Sequence, residues 1–482
     1  MLQNKDIKNL GELIGAFSSH HDKSKLFSDL IQILKLGSLH GVFCHVKLKG
    51  ISAIQILQVL ICLPFVDQKN VHSFTTSAWM SYIDFGKDVF YRLKNNPKIN
   101  WRSLLLGVVR LYLAKINSRS EKVKGGSIKA LIFDDTTIRK TGYKIEGTSM
   151  VYDHVNKKLV LGFQLLVMGY YDGTMFIPID FSIHRERGKN KKKPFNLKPK
   201  HLKKQHKHKR DIKSAGYGRK KELDHNKITA VISMIGRAIG QKMDIDYVLT
   251  DSWFTCWDTV STAIEKGLIY IGMFCKVKTI FLYKGQQLTY QGIRKKERKN
   301  IKRNRKFKLY YIRTVVRWHG QDIVLYHTRK GKRGKWKVLL STDLKSNFTQ
   351  TVEVYQLRWS IEVFFKESKQ MLGLGKSQSN NFDGQIADTT INMIQYIFLS
   401  LLKRVEDYET KGKLFENTKA EVIEMKLHDR LIQLLMIIFE YIELLFEQAD
   451  SDQLMKKLLS DDGLFDRIKF ILQPPENRKM VA

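Results

Sequence analysis

Two short runs constrain this chain most. Ala130-Leu131-Ile132-Phe133 stops at Asp134-Asp135, and Tyr247-Val248-Leu249-Thr250 stops at Asp251. Runs of four are too short for a helix and fit buried strands. Between them lie two β-rich stretches, Gly162–Tyr170 and Met175–Phe181, joined by the turn Tyr171-Asp172-Gly173-Thr174. Ile228–Ile239 then shows helical spacing. Three strands, a helix and a further strand predict an α/β fold, a mixed sheet flanked by helices with acids at two strand ends.

The flanks read differently. Over residues 1 to about 125, apolar residues recur at helical spacing in Leu26–Leu36, Ile51–Leu63 and Leu104–Ile116. A separate helical N-terminal domain, 1–125, is expected, either a DNA-binding module or a structural cap. Strands are expected again at Tyr270–Cys275, Thr279–Tyr283, Lys308–Trp318, Asp322–His327 and Trp336–Ser341, a β-rich insertion over about 270–345. A second basic run, Arg294–Lys308, lies inside it. After about Leu374 helical patterning returns, strongest at Leu427–Phe446, so 377–482 is expected to be a helical C-terminal region available for dimerisation or core packing.

Charge narrows the partner. The 482 residues carry 84 Lys and Arg against 47 Asp and Glu, a formal +37. Such an excess repels itself in a compact state, and a polyanion is the usual relief. Nucleic acid is the first candidate and an anionic membrane the second. The charge is densest from Arg185 to Lys221, with 17 Lys and Arg against 2 acids, including Lys191, Lys192, Lys193, Lys203 and Lys204. Pro194, Pro199 and Gly216 interrupt any single helix there. The segment is expected to be a solvated loop that clamps DNA electrostatically.

Ile51–Val66 and Leu431–Phe446 are apolar but carry Gln55, Gln58, Glu440 and Glu443. Both fall below the ~18–20 apolar residues that a bilayer span requires. Cys44, Cys62, Cys256 and Cys275 have no zinc-ligand or disulfide-framework spacing and are expected to be reduced, buried thiols. The first residues lack the apolar core of a signal peptide. A cytoplasmic protein is the expectation.

The chemistry-bearing pattern lies between Tyr355 and Lys369, a stretch without Gly or Pro. Steps of three, four and seven place Tyr355, Arg358, Glu362 and Lys369 on one helical face, while Val354, Leu357, Ile361 and Phe364 form an apolar face. Taken alone, the polar stripe is an ordinary solvated face with an Arg358–Glu362 pair. Alternatively, Glu362 binds metal and the other three hold phosphate oxygens, a task suited to the planar guanidinium fork.

The spacing Tyr-x2-Arg-x3-Glu-x6-Lys resembles the YREK signature of bacterial insertion-sequence transposases, the IS-four group of the DDE class. Phe133-Asp134-Asp135-Thr136-Thr137 and Leu249-Thr250-Asp251-Ser252-Trp253-Phe254 are similar to that group's first and second acid motifs. The β-rich insertion before the glutamate is also a trait of the group. The resemblance implies a catalytic domain over 126–376 with an RNase H-like core. It implies Asp135, Asp251 and Glu362 as ligands of two divalent ions, Mg²⁺ with Mn²⁺ able to substitute, and Tyr355, Arg358 and Lys369 as DNA contacts. Asp134 and Asp135 are adjacent, and strand alternation sends them to opposite faces. The following Thr pair favours Asp135 as the ligand and leaves Asp134 as a turn or supporting residue. Glu353 and Glu367 lie off the stripe.

The implied reaction is water-driven cleavage at element ends, then attack of the freed 3′-OH on target DNA. The implied partners are double-stranded terminal inverted repeats, target DNA and a second copy of the chain. Trp336, with Trp318 as competitor, matches an insertion-domain tryptophan that stacks a flipped base in related transposases. Core packing is the alternative for either ring. Two other functions fit the charge: a non-catalytic DNA-binding protein derived from a transposon, and a stand-alone RNase H-like nuclease.

Overall fold

The computed structural model describes residues 39, 41–43, 50–66, 68, 70–77, 86–119 and 128–405. The expected helices Leu26–Leu36 and Leu427–Phe446, Cys44, and most of the C-terminal region lie outside the described residues.

Strand β1, Ala130–Arg139, begins with four fully buried apolar residues and continues past both acids. The sequence pattern ends this strand at Phe133, and the structure shows why the reading is half right. On one side β1 pairs with parallel β5, Tyr247–Thr250, only from Ala130 to Phe133. On the other it pairs with antiparallel β3, Lys158–Tyr171, through Arg139. Asp134 and Asp135 therefore lie at the strand end toward β5 but mid-strand toward β3. The short strand β2, Ser149–Asp153, also pairs with β3.

β4, Phe176–His184, pairs antiparallel with β3. β6, Ile269–Phe274, pairs parallel with β5. The central order is thus β4-β3-β1-β5-β6, antiparallel on one side of β1 and parallel on the other. Pro178 is tolerated in β4 because that strand lies on an edge and the ladder shifts register between Met168 and Gly169. Gly169 is required there, since a Cβ would fall 2.0 Å from the Phe176 ring.

The insertion extends the sheet. β7, Ile280–Tyr283, β8, Gln286–Thr289, β9, Lys302–Asn304, β10, Leu309–Trp318, β11, Gln321–Lys330, and β12, Lys337–Ser341, continue from β6 in the order β12-β11-β10-β7-β8, with β9 beside β10. Most match the expected strands within two residues, but β8 and β9 leave no clear apolar pattern. Part of the second basic run is a helix, Tyr290–Lys296, capped by Thr289. Trp318 is core, 5% exposed and edge-on to Trp257 and Phe274. Trp336 is half-buried, with the guanidinium of Arg329 4.6 Å and that of Arg294 5.4 Å from its ring centroid.

Helices are numbered over the described residues: α1 Ala53–Cys62, α2 Val71–Thr75, α3 Lys87–Lys94, α4 Trp101–Arg119, α5 Pro199–Lys204, α6 Ala215–Glu222, α7 Lys227–Gly240, α8 Trp257–Glu265, α9 Tyr290–Lys296, α10 Phe348–Gln356, α11 Trp359–Glu367 and α12 Phe382–Val405. β4 is buried along its whole length because α4, α7, α11 and α12 all pack on it. The described N-terminal helices do not stand apart from the sheet. Arg102 of α4 donates to Asp180 of β4 and to Glu222 of α6, and Gln395 of α12 donates to the Leu60 and Ile61 carbonyls. Among the described residues no helix is long and apolar enough to cross a membrane. Cys256 and Cys275 carry free thiols; Cys256 is buried as expected, but Cys275 follows the end of β6 and is exposed.

The basic segment differs from the solvated loop expected of it. It folds into α5, α6 and ordered turns, held by some of its own charges. Arg210, whose side chain is 3% exposed, donates to Glu146 at 2.8 and 2.7 Å and to Asp383 at 3.0 and 3.2 Å. Arg185 grips Asp224 with two bonds of 2.7 Å and lies over the Phe195 ring. Lys191, Lys192, Lys193, Lys203 and Lys204 remain exposed.

Candidate active site

The two parallel strands bring the acids together. Phe133 and Thr250 are register partners, so the next residues, Asp134 and Asp251, leave neighbouring strand ends. Parallel neighbours lie roughly 4.8 Å apart, close enough for both carboxylates to share one site. The Asp251 carboxylate accepts the backbone N–H of Trp253 at 2.9 Å and of Phe254 at 3.2 Å. Phe254 is fully buried and anchors this turn.

Strand alternation then separates the neighbours. Asp134 accepts a hydrogen bond from Arg358 at 3.0 Å, and Thr136, two residues on, accepts one from Lys369 at 2.7 Å. Asp135 instead pairs with the ammonium of Lys227, the first residue of α7, and Thr137 meets Gln164. The acid facing the stripe is thus Asp134, and Asp135 faces Lys227. Parity in the sequence groups Asp134 with Thr136 and Asp135 with Thr137, but does not say which pair meets the stripe.

The stripe itself is built from three pieces rather than one helix. Tyr355 lies in the last turn of α10, Arg358 caps α11, Glu362 lies in its first turn, and Lys369 lies in a single π-helical turn, Ser368–Leu372. Leu357 and Arg358 donate to carbonyls three residues back, which tightens the chain between α10 and α11. Ile361 and Phe364 are fully buried and seat α11 beside β1 and β4. The other guanidinium nitrogen of Arg358 donates to Glu362, so Arg358 bridges the first and third acids. Lys369 also donates to the Thr137 carbonyl at 3.3 Å. Glu353 and Glu367 lie elsewhere, Glu353 paired with Lys306 and Glu367 bonded by the Tyr396 hydroxyl.

Crowding shows in the proton affinities. Burial, then the Asp251 charge, pushes the Asp134 carboxyl up to about 7 despite Arg358. Burial raises Asp251 as well, partly opposed by its two backbone N–H bonds. Burial pushes the Tyr355 phenol up to about 12, which keeps it protonated and a poor nucleophile at neutral pH. Burial lowers the Lys369 ammonium from its ordinary value.

Among the described residues no three acidic, histidine or cysteine side chains form a ready-made metal cage. Arg358 and Lys227 neutralise the carboxylates instead. The donor set nonetheless fits a hard divalent cation, because every candidate ligand is a carboxylate oxygen and neighbouring acid charges raise the proton affinity of Asp134 and Asp251.

The structure thus sets acids at adjoining ends of a mixed sheet beside a guanidinium and an ammonium. Residues 125–398, more than half of the chain, match the model of the transposase DDE domain, and the chain belongs to that family of DNA-acting transposases. No curated protein matches the chain.

Proposed function

We propose that this protein is an insertion-sequence transposase of the IS-four group that cuts DNA at element ends and transfers the 3′-OH strand to target DNA. One observation carries the reading: Asp134, Asp251 and Glu362 converge with Arg358 and Lys369 although they are scattered over more than 220 residues of chain. The strand order β4-β3-β1-β5-β6, with β3 antiparallel to β1 and β5 parallel to it, supports an RNase H-like core.

Asp134 or Asp135, with Asp251 and Glu362, would hold two divalent ions, Mg²⁺ in the cell with Mn²⁺ able to substitute. When bound, such ions stabilise the attacking and leaving oxygens of an in-line displacement. The chain's own groups do the rest. Arg358 is placed to leave its carboxylate partners for two phosphate oxygens, and Lys369 supplies a second positive charge from a rigid turn. Tyr355 lies 5.9 Å from the Arg358 guanidinium and restrains it. The geometry favours Asp134 over Asp135 as the first ligand, since only Asp134 shares Arg358 with Glu362.

Proton and cation compete for Asp134. A carboxyl raised to about 7 must lose its proton before it can ligate, so cation binding is weakened below that value and is full above it. Mn²⁺ titration of the DNA-free protein should give about tenfold weaker binding at pH 6 than at pH 8. A flat profile would remove Asp134 from the ligand set.

Lys191, Lys192, Lys193, Lys203 and Lys204 are proposed phosphate contacts, and Trp336 a base-stacking residue set between two guanidiniums. Each lysine that truly meets phosphate should lower the slope of log K against log salt by about 1 when changed to glutamine. An unchanged slope in the five-lysine variant would confine DNA to another face. Loss of 2-aminopurine signal in Trp336→Ala is the corresponding check on stacking. Pairing two element ends calls for a homodimer on DNA.

A further inference from the structure

Trp253 is 51% exposed although it follows the second acid by two residues. A single exposed aromatic is ordinary on a protein surface. Trp253 differs because its backbone is tied to the second acid and its ring meets both an aromatic and a cation. Its backbone N–H donates to Asp251 at 2.9 Å, which fixes its position relative to that carboxylate. Its ring meets Phe254 edge-on, with centroids 4.8 Å apart and planes at 75°. The Lys227 ammonium lies 4.9 Å from its ring centroid, and the same ammonium pairs with Asp135.

The result is a rigid aromatic wall on the rim of the acid site, with half its surface open to solvent and a cation at its side. That combination fits a nucleotide: the open indole offers a π-surface to a base, and the ammonium offers charge to the adjoining phosphate. We propose that Trp253 and Lys227 form a subsite for one unpaired nucleotide of the DNA strand beside the scissile phosphate. This rests on the transposase reading above and adds a feature to it: the end must fray by at least one base pair to reach the acids. Lys227 then has a second role, as it leaves Asp135 for phosphate when the strand enters. Trp253 is a binding residue and Lys227 a positioning one, and neither exchanges a proton with the substrate.

The test uses the full-length protein, Ca²⁺ to hold DNA without cutting, and two probes: a blunt 20-base-pair duplex, and the same duplex with a three-thymidine overhang whose central base is 5-iodouracil. Irradiation should cross-link the iodouracil to Trp253. Trp253→Ala should weaken overhang binding about tenfold, or about 1.4 kcal/mol, and leave blunt-duplex binding unchanged. Trp253→Phe should restore most of the difference, which a purely structural role would not do. Lys227→Gln should lower the salt slope for the overhang probe only. Equal changes on both probes, or cross-links confined to Trp336 or Trp359, would overturn the subsite while leaving cleavage by the wild-type protein, and hence the transposase reading, intact. A wild-type protein that neither binds nor cuts DNA would overturn both.

Discussion

Asp251→Ala should bind DNA as the unaltered protein does and cut it at least about 10³-fold more slowly. Its carboxylate is held by two backbone N–H groups at the mouth of the site, and alanine leaves no oxygen at that place. The fold should survive, because the turn is anchored by buried Phe254 and by Thr255, whose hydroxyl donates to the Asp251 carbonyl at 2.9 Å. Glu362→Ala should lose activity to the same extent. The sharper comparison is between Asp134→Ala and Asp135→Ala. Geometry expects the first to abolish cleavage, whereas the motif alone expects the second to do so. Single-turnover cleavage with Mn²⁺, read beside a binding assay on the same DNA, measures both. Wild-type cleavage by the Asp251 variant would refute the site.

The second large effect is on stability. Arg210→Ala should cost about 3–5 kcal/mol, because it leaves the Asp383 carboxylate buried without its cation and Glu146 with Lys220 alone. The Glu146 side chain is 7% exposed and that of Asp383 2%. Burial pushes Glu146 up, but hydrogen bonds from Arg210, with Lys220 nearby, outweigh it and hold the carboxyl at about 2. A depressed carboxyl contributes stability above its ordinary range near 4.5 and loses it as pH falls toward 2. The urea midpoint of the variant at pH 7 should therefore fall sharply. Adding Glu146→Gln should recover part of the loss, since it removes one stranded charge. A midpoint within experimental error of the wild type would mean that the basic segment is not tied to the core through Arg210.

That bridge illustrates what sequence reading could not reach. Arg210 stands among 17 basic residues and nothing in its neighbourhood marks it as structural. Its partners lie 64 and 173 residues away in the chain. The same holds for Lys227, which reads as the unremarkable first residue of an amphipathic helix until β1 brings Asp135 to it. Local periodicity reports which face of an element is buried, but it carries no information about what that face meets.

Much of the site was nonetheless legible. Strand β5 and helix α7 follow from apolar runs and 3.6-residue spacing within a residue of their bounds. The stripe Tyr355, Arg358, Glu362 and Lys369 was expected on one helix; the structure brings Arg358 and Lys369 to β1 from two helices and a π turn instead. The tightened turn after Gln356 was invisible, because it depends on backbone bonds three residues apart rather than on residue type.

The sequence by itself determined most of the central strands, the longer helices, the basic character and the acid-bearing segments, since these rest on periodicity and composition within short windows. Only the tertiary structure decided which of Asp134 and Asp135 faces Arg358. The reason is the one-sided end of β1: pairing with β5 stops at Phe133 while pairing with β3 runs on to Arg139. Alternation along that continued strand aims Asp134 at α11 and Asp135 at α7, and no window of sequence contains both helices.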